Sequence, residues 1–399
     1  MIKRIDGSNS WAIHDSRRVS LNPKNEELFA NLNDAENEFD AVDFLSNGFQ
    51  IKNTNNVYNA NGSGYLYWAV AKNVPSNTTL ANSFKTVTYT GTGSVQSITG
   101  TGFRPDFVWL KGRNRGEDSG LFDTVRGPNE WLRSSTADAQ NDFSGNYGIS
   151  SFDSDGFTIG TGSAINNNGS TYVGWAWKAG NTWQSNLDGD IPSTVNANTA
   201  NGFSIVKYHG NSASSATIGH GLSSAPQLII TKPMNLQAGW PTQASGYYGL
   251  RLNENGANDT SNGNVFYANT APTSSVYTVG GSDEVNDDYD YIAYCWHSVS
   301  GFSKIGTYTG NGSTQSITGL GFQPDWLMIK QINAANHWRI FDSARGLGNP
   351  QTLFASLSSV EDNESNTVSS FDSDGFTMGS QQGVNDNGDT YLYFALKHN

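Results

Sequence analysis

A repeat constrains this chain more than any other feature. The stretch Ser151-Phe-Asp-Ser-Asp-Gly-Phe-Thr-Ile-Gly160, followed by Thr171-Tyr-Val-Gly-Trp-Ala-Trp177, returns as Ser370-Phe-Asp-Ser-Asp-Gly-Phe-Thr-Met-Gly379 followed by Thr390-Tyr-Leu-Tyr-Phe-Ala-Leu396. Tyr89 and Tyr308, Asp123 and Asp342, Gly156 and Gly375, and Tyr172 and Tyr391 all stand 219 positions apart. A constant offset over a whole domain length means one supersecondary unit used again. Looser copies run from Phe44-Leu-Ser-Asn-Gly-Phe49 to Trp68 and from Phe203 to Trp296. Met1-Ile-Lys-Arg4 matches Met328-Ile-Lys-Gln331, so the first copy opens in mid-module. The expected organisation is a partial module lacking its first strands (1–73), a linker (74–84), a module (85–180), a linker (181–200), a diverged module (201–300) and a fourth module (301–399). We call these modules 1 to 4. Two readings of the partial module are that the gene extends upstream of Met1, or that a partner strand completes the sheet, since an open edge invites pairing.

Within module 2 the apolar residues alternate with period two, and Gly, Asn and Ser mark the turns. The pattern predicts strands at Val87–Thr90, Ser94–Ile98, Asp106–Lys111, Gly120–Asp123, Glu130–Arg133, Gly148–Phe152, Gly156–Ile159 and Thr171–Trp177. The fold class expected is all-β: a tandem array of β-sandwich, jelly-roll or lectin-like modules of about 95–100 residues. No long helix is expected, with single helical turns at Thr136–Gln140 and Asn33–Asn37. In the last strand, one face carries Val173, Trp175 and Trp177 and the other Tyr172, Gly174 and Ala176. Large residues on one face and small ones on the other predict a strand covered on both sides.

Composition removes several functions. The formal charge is −13, which disfavours nucleic acid as a partner, because phosphate binding needs clustered Lys and Arg. Cys295 is the single cysteine, which leaves no disulfide framework. No stretch approaches the ~20 apolar residues of a membrane-spanning helix, and Met1–Asp6 has no apolar signal core. The six histidines (His14, His209, His220, His297, His337 and His398) fall at unrelated module positions, so no Ser-His-Asp register repeats. The chain is therefore read as a non-enzyme.

Four motifs remain. Asp153 and Asp155, repeated as Asp372 and Asp374, are the weak calcium candidates, since hard cations need several oxygens. The same residues suit a two-residue type I′ hairpin turn, which needs positive φ at both central positions. Otherwise no metal and no cofactor is expected. Asp15-Ser-Arg-Arg18, Asp123-Thr-Val-Arg126 and Asp342-Ser-Ala-Arg345 read either as an Asx turn closed by an Asp–Arg pair or as a repeated ligand patch. The candidate ligand-binding residues are therefore Trp11, Asp15, Arg18, Asp123, Arg126, Trp338, Asp342 and Arg345. Trp131, Trp183 and Trp240 are further aromatics on which a sugar face could stack.

The Tyr-Thr-Gly-x-Gly-Ser start at Tyr89 and Tyr308, the Gly-Phe-x-Pro-Asp corner at Gly102 and Gly321, the Phe-x-Ser-x-Gly-Phe turn and the closing aromatic strand resemble a repeated module of tailed, mostly marine, bacteriophages. That family is a domain without assigned function found in virion structural and tail fibre proteins. The resemblance implies a β-sandwich at the virion surface or tail, made in the host cytoplasm. It carries over no site residues. The expected function is a non-enzymatic tail fibre or host-recognition array. Its expected partners are a host-surface glycan or protein and other virion proteins, with a homotrimer as one assembly. The alternatives are a capsid decoration or spacer protein and, third, a polysaccharide depolymerase.

Overall fold

The structure, a computed structural model, describes residues 1–15, 24–45, 48–69, 82–142, 146–180, 182–346 and 351–398. It is all-β with many small antiparallel sheets. The chain divides into two compact units. One comprises Met1–Pro75 with Gln184–Leu187, the other Ser76–Trp183 with Asp188–Asn399.

In the larger unit, modules 2 and 4 follow one plan. A large sheet in module 2 runs in the order Asn141–Asp142, Gly127–Leu132, Gly120–Asp123, Phe107–Gly112, Thr171–Trp177, Phe84–Thr90. A small sheet, Ile149–Asp153, Gly156–Ile159, Gln96–Thr99, packs over one face of it. Module 4 repeats this with Leu353–Phe354, Arg339–Asp342, Trp326–Gln331, Thr390–Leu396 and Ser303–Thr309, covered by Gln315–Thr318, Gly375–Met378 and Val368–Asp372. Module 3 keeps Phe203–His209, Asp290–Trp296, Leu228–Pro233, Pro241–Ala244 and Tyr247–Arg251, with a two-stranded cover of Ser215–Gly219 and Val276–Gly280.

The closing strand is central in all three modules, paired on both sides in antiparallel register. Its small-residue face enters the module's own sandwich. A Cβ on Gly174 would stand 3.0 Å from Leu110 and 3.3 Å from the Phe157 ring, so this face has no room for more. Its large-residue face does something a repeat cannot announce. Val173, Trp175 and Trp177, Ile292, Tyr294 and Trp296, and Leu392, Phe394 and Leu396 all enter one cluster of buried residues shared by the three modules. Rings from different modules interlock there: Trp177 lies 5.8 Å from Trp326 and 6.3 Å from Trp296, and Trp296 lies 5.6 Å from Phe394, all near-perpendicular or tilted. Aromatic pairs prefer such arrangements. Modules 2 to 4 are therefore one packed body and not separate sandwiches on linkers.

Several local expectations are corrected. Ser193–Asn198, placed in the linker 181–200, is a strand paired with Phe203–His209 from Ser193↔Tyr208 to Asn198↔Phe203. Its Asn, Ser and Thr residues disguised the strand, although Ser193, Val195, Asn196 and Asn198 are buried. The linker 74–84 lies mostly outside the described residues, and Phe84 already begins a strand. Thr136–Gln140 and Asn33–Asn37 are not helical. One-turn helices sit instead at Ser163–Asn166 and Gln382–Asn385, and module 3 adds a helix at Thr260–Tyr267, N-capped by Asp259.

The two-residue hairpin loop holds, but not as a type I′ turn. Asp153 pairs with Gly156, while Ser154 and Asp155 have no positive φ. Glycine is required for a different reason: a Cβ on Gly156 would stand 1.9 Å from the Ile98 carbonyl oxygen, and on Gly375 1.8 Å from that of Ile317. The neighbouring strand crosses too close for any side chain. In module 1 the equivalent Ser46 and Asn47 lie outside the described residues.

The smaller unit is one sheet in the order Gly48–Ile51, Asn37–Leu45, Lys24–Phe29, Ala12–Ile13, Ile2–Arg4, Tyr65–Tyr67. Ile2, Ala12, Ala41, Val42 and Tyr58 form its core.

Candidate functional site

Five of the eight sequence-predicted ligand residues, Asp123, Arg126, Trp338, Asp342 and Arg345, lie at the seams between modules 2, 3 and 4. Asp123 Oδ1 accepts from the backbone amides of Val125 (3.0 Å) and Arg126 (2.9 Å), and Arg126 Nε donates to Asp123 Oδ2 at 2.6 Å. Asp342 and Arg345 repeat this at 3.0 and 2.6 Å. This is the Asx turn closed by an ion pair, and both pairs are 0% exposed. Each carboxylate also takes a donor from another module. Tyr294 Oη of module 3 donates to Asp123 at 2.8 Å, and Trp175 Nε1 of module 2 donates to Asp342 at 3.0 Å. The Arg345 guanidinium also lies over the Trp175 ring at 6.0 Å. Buried charges persist where they are paired and fully hydrogen-bonded, as here.

Three lysines that sequence reasoning missed mark the same seams. Lys111, Lys232 and Lys330 occupy equivalent positions, opposite Val173, Ile292 and Leu392 of the closing strands. All are buried. Each gives one hydrogen bond within its module, to the carbonyls of Glu117, Ala238 and Gln331 respectively. Each gives another across a seam: Lys111 to Leu357 of module 4 (2.5 Å), Lys232 to Ala137 of module 2 (3.0 Å), Lys330 to Asn255 of module 3 (3.2 Å). The contacts run 2→4, 3→2 and 4→3, so the three modules close into a ring. Burial pulls the lysines down to about 8, about 8 and about 7.

The candidate tryptophans divide. Trp338 and Trp240 are buried at seams, donating to the Arg251 carbonyl of module 3 (2.9 Å) and the Arg133 carbonyl of module 2 (2.9 Å). They hold modules together. Trp11 is half-buried, its backbone amide bonded to Asn31 (2.8 Å), and Asp15 is half-buried just after the strand Ala12–Ile13. Arg18 lies outside the described residues. Trp183 is 51% exposed.

The four calcium candidates accept protein donors in both copies. Asp153 takes the hydroxyls of Ser151 and Thr158, and Asp372 those of Ser370 and Thr377. Asp155 takes the amides of Gly100 and Gly102, and Asp374 those of Gly319 and Gly321. Among the described residues no three His, Cys, Asp or Glu converge as a metal site.

A surface cleft of about 210 Å³ in module 2 is lined by Glu117, Asp118, Trp131, Arg133, Tyr147 and the turn at 162–164. Arg133 lies over the buried Trp131 ring at 5.5 Å and pairs with Asp138 at 3.1 Å, with Asp118 at 3.7 Å. Glu117 is held by Arg115 at 2.6 Å. Tyr147 lines the cleft and is 52% exposed. Trp131 was a sequence candidate; the rest were not, because the repeat hides them. Position 147 aligns with Asn366 in module 4, so the cleft is not a property of the module.

A family described as a domain of unknown function, DUF7483, matches residues 1–74 and 80–399. The chain belongs to that family. No curated protein matches it. Membership thus adds no activity or ligand, and the chemistry rests on the cleft and the seams.

Proposed function

We propose that the chain is a non-enzymatic recognition protein of a virion, a tail fibre or host-binding component whose ligand is a surface glycan. The observation that carries the reading is the module 2 cleft. An exposed phenol ring stands beside carboxylates and a guanidinium already fixed by ion pairs, so aromatic face and polar groups are preorganised together. Its volume, below the ~300–1,000 Å³ of drug-sized pockets, suits one sugar residue or a chain end. The repeated charged groups are spent inside the seams, which leaves them to assembly and not to chemistry. The virion setting rests on the motif resemblance. A cleft of this size binds weakly, so useful avidity comes from several copies of the chain.

Glycan-array binding by the purified chain, with adsorption inhibition on host cells, tests the reading. Tyr147→Ala is expected to lower binding at least tenfold without moving the unfolding midpoint. No binding to any host surface overturns the proposal. Labelled chain that binds capsids instead favours a decoration protein, and release of reducing ends from host polysaccharide favours a depolymerase.

A further inference from the structure

The smaller unit carries a fourth copy of the seam face, and there it is exposed. Lys3 pairs with Leu66 as Lys111 pairs with Val173, Lys232 with Ile292 and Lys330 with Leu392. Trp68, whose amide bonds the Met1 carbonyl, therefore occupies the place of Trp175, Tyr294 and Phe394. Those three are at most 2% exposed, whereas Trp68 is 67% and Leu66 53% exposed. Lys3 makes the within-module contact, to Gly7 and Asn9, with Asn9 six residues on, as Glu117 follows Lys111 and Ala238 follows Lys232.

The complementary half of the seam is present as well. In module 4 the Ala355 amide bonds the Trp338 carbonyl, and Leu357, two residues on, accepts from Lys111. In the smaller unit the Ala30 amide bonds the Trp11 carbonyl, which gives Leu32 the place of Leu357, and Leu32 is 45% exposed. Asp15 takes the place of Asp342, the acceptor for Trp175. One module thus bears donor and acceptor faces of a heterologous contact that, between modules 2, 3 and 4, closes after three steps.

We infer that the occupant of this face is the smaller unit of a second copy of the chain, and that three copies close head to tail, Trp68 of each against the Asp15 side of the next. The inference rests on seam geometry and is independent of the glycan reading. An apolar indole and leucine side by side on an unpartnered sheet face favour such burial.

Sedimentation equilibrium and native mass spectrometry of the full chain test it. The expected species has three times the 43.1 kDa chain mass, and Trp68→Asp converts it to monomer with unchanged circular dichroism. A wild-type chain that stays monomeric or stops at dimers overturns the inference, as does a Trp68→Asp chain that still forms trimers. Introduced cysteines test the direction, since Cys295 is buried. Trp68→Cys chains mixed with Asp15→Cys chains are expected to cross-link to each other; cross-linking confined to Trp68→Cys with itself overturns head-to-tail closure.

Discussion

Two seams of the ring bury a carboxylate–arginine pair and the third does not. Asp123 stands opposite Phe107 on the neighbouring strand, Asp342 opposite Trp326, and in module 3 the residue at that position, opposite Leu228, is Ala244. Three residues beyond, where Arg126 and Arg345 stand, module 3 has Tyr247, packed against the shared core. The module that would supply the donor to this seam is module 4, and it presents Phe394, which has none. Acceptor, counter-ion and donor are therefore absent together. A buried carboxylate left without its arginine or its donor is costly, whereas an apolar set of similar volume is not. The seam has two self-consistent solutions, and half-measures are the unstable ones.

That comparison can be broken most severely by making a half-measure. Asp342→Ala leaves buried Arg345 with Glu361, at 2.6 Å, as its remaining counter-ion and Trp175 Nε1 without an acceptor, with an expected loss of about 3 kcal/mol in urea unfolding of the larger unit. Next, Trp175→Phe removes only the donor and is expected to cost roughly 1.5–3 kcal/mol, as for a hydrogen bond to a charged group. The triple change Asp123→Ala, Arg126→Tyr and Tyr294→Phe installs the module 3 solution at a polar seam. Its expected cost is below about 1.5 kcal/mol, less than Asp123→Ala alone. A triple variant as unstable as the single one breaks the comparison.

The seam lysines give a pH signature. An unfolded lysine titrates near ~10.5, but Lys111, Lys232 and Lys330 lose their protons near about 8, 8 and 7 in the folded chain. Below about pH 7 both states carry these charges and the burial cost is fully present. Above it the unfolded chain binds more protons, so stability rises with pH. Buried Cys295, whose thiol burial pushes up, opposes this above about pH 9. Urea midpoints are thus expected to climb from pH 7 to 9, and Lys330→Met to shrink the climb by roughly half, because Lys330 loses its proton from about pH 7 and the other two only from about 8. The smallest expected effect is that of chelation: with the hairpin carboxylates already taking protein donors, EDTA is expected to leave the midpoint unmoved.

The sequence made one level of this legible. Repeat offsets and period-two burial located the closing strands and predicted cover on both faces, and the Asp-x-x-Arg element was readable as an Asx turn. What covers the large-residue face was not readable. Trp175 and Asp342 are 167 residues apart, Tyr294 and Asp123 171, and a repeat identifies modules without orienting them. Lys111, Lys232 and Lys330 could have been found, because a lysine recurring at the end of an apolar strand in every copy is a signal of a shared buried role. The cleft at Tyr147 could not, since a feature present in one copy vanishes when copies are compared.

The closed ring is tested most directly by amide hydrogen exchange under rising urea, followed at Thr171–Trp177, Asp290–Trp296 and Thr390–Leu396. One core predicts that the three strands lose protection together, and that Asp342→Ala moves all three to lower urea by the same amount, module 3 included. Three separate transitions, with module 3 unmoved by the substitution, would contradict a single ring and restore a string of independent sandwiches.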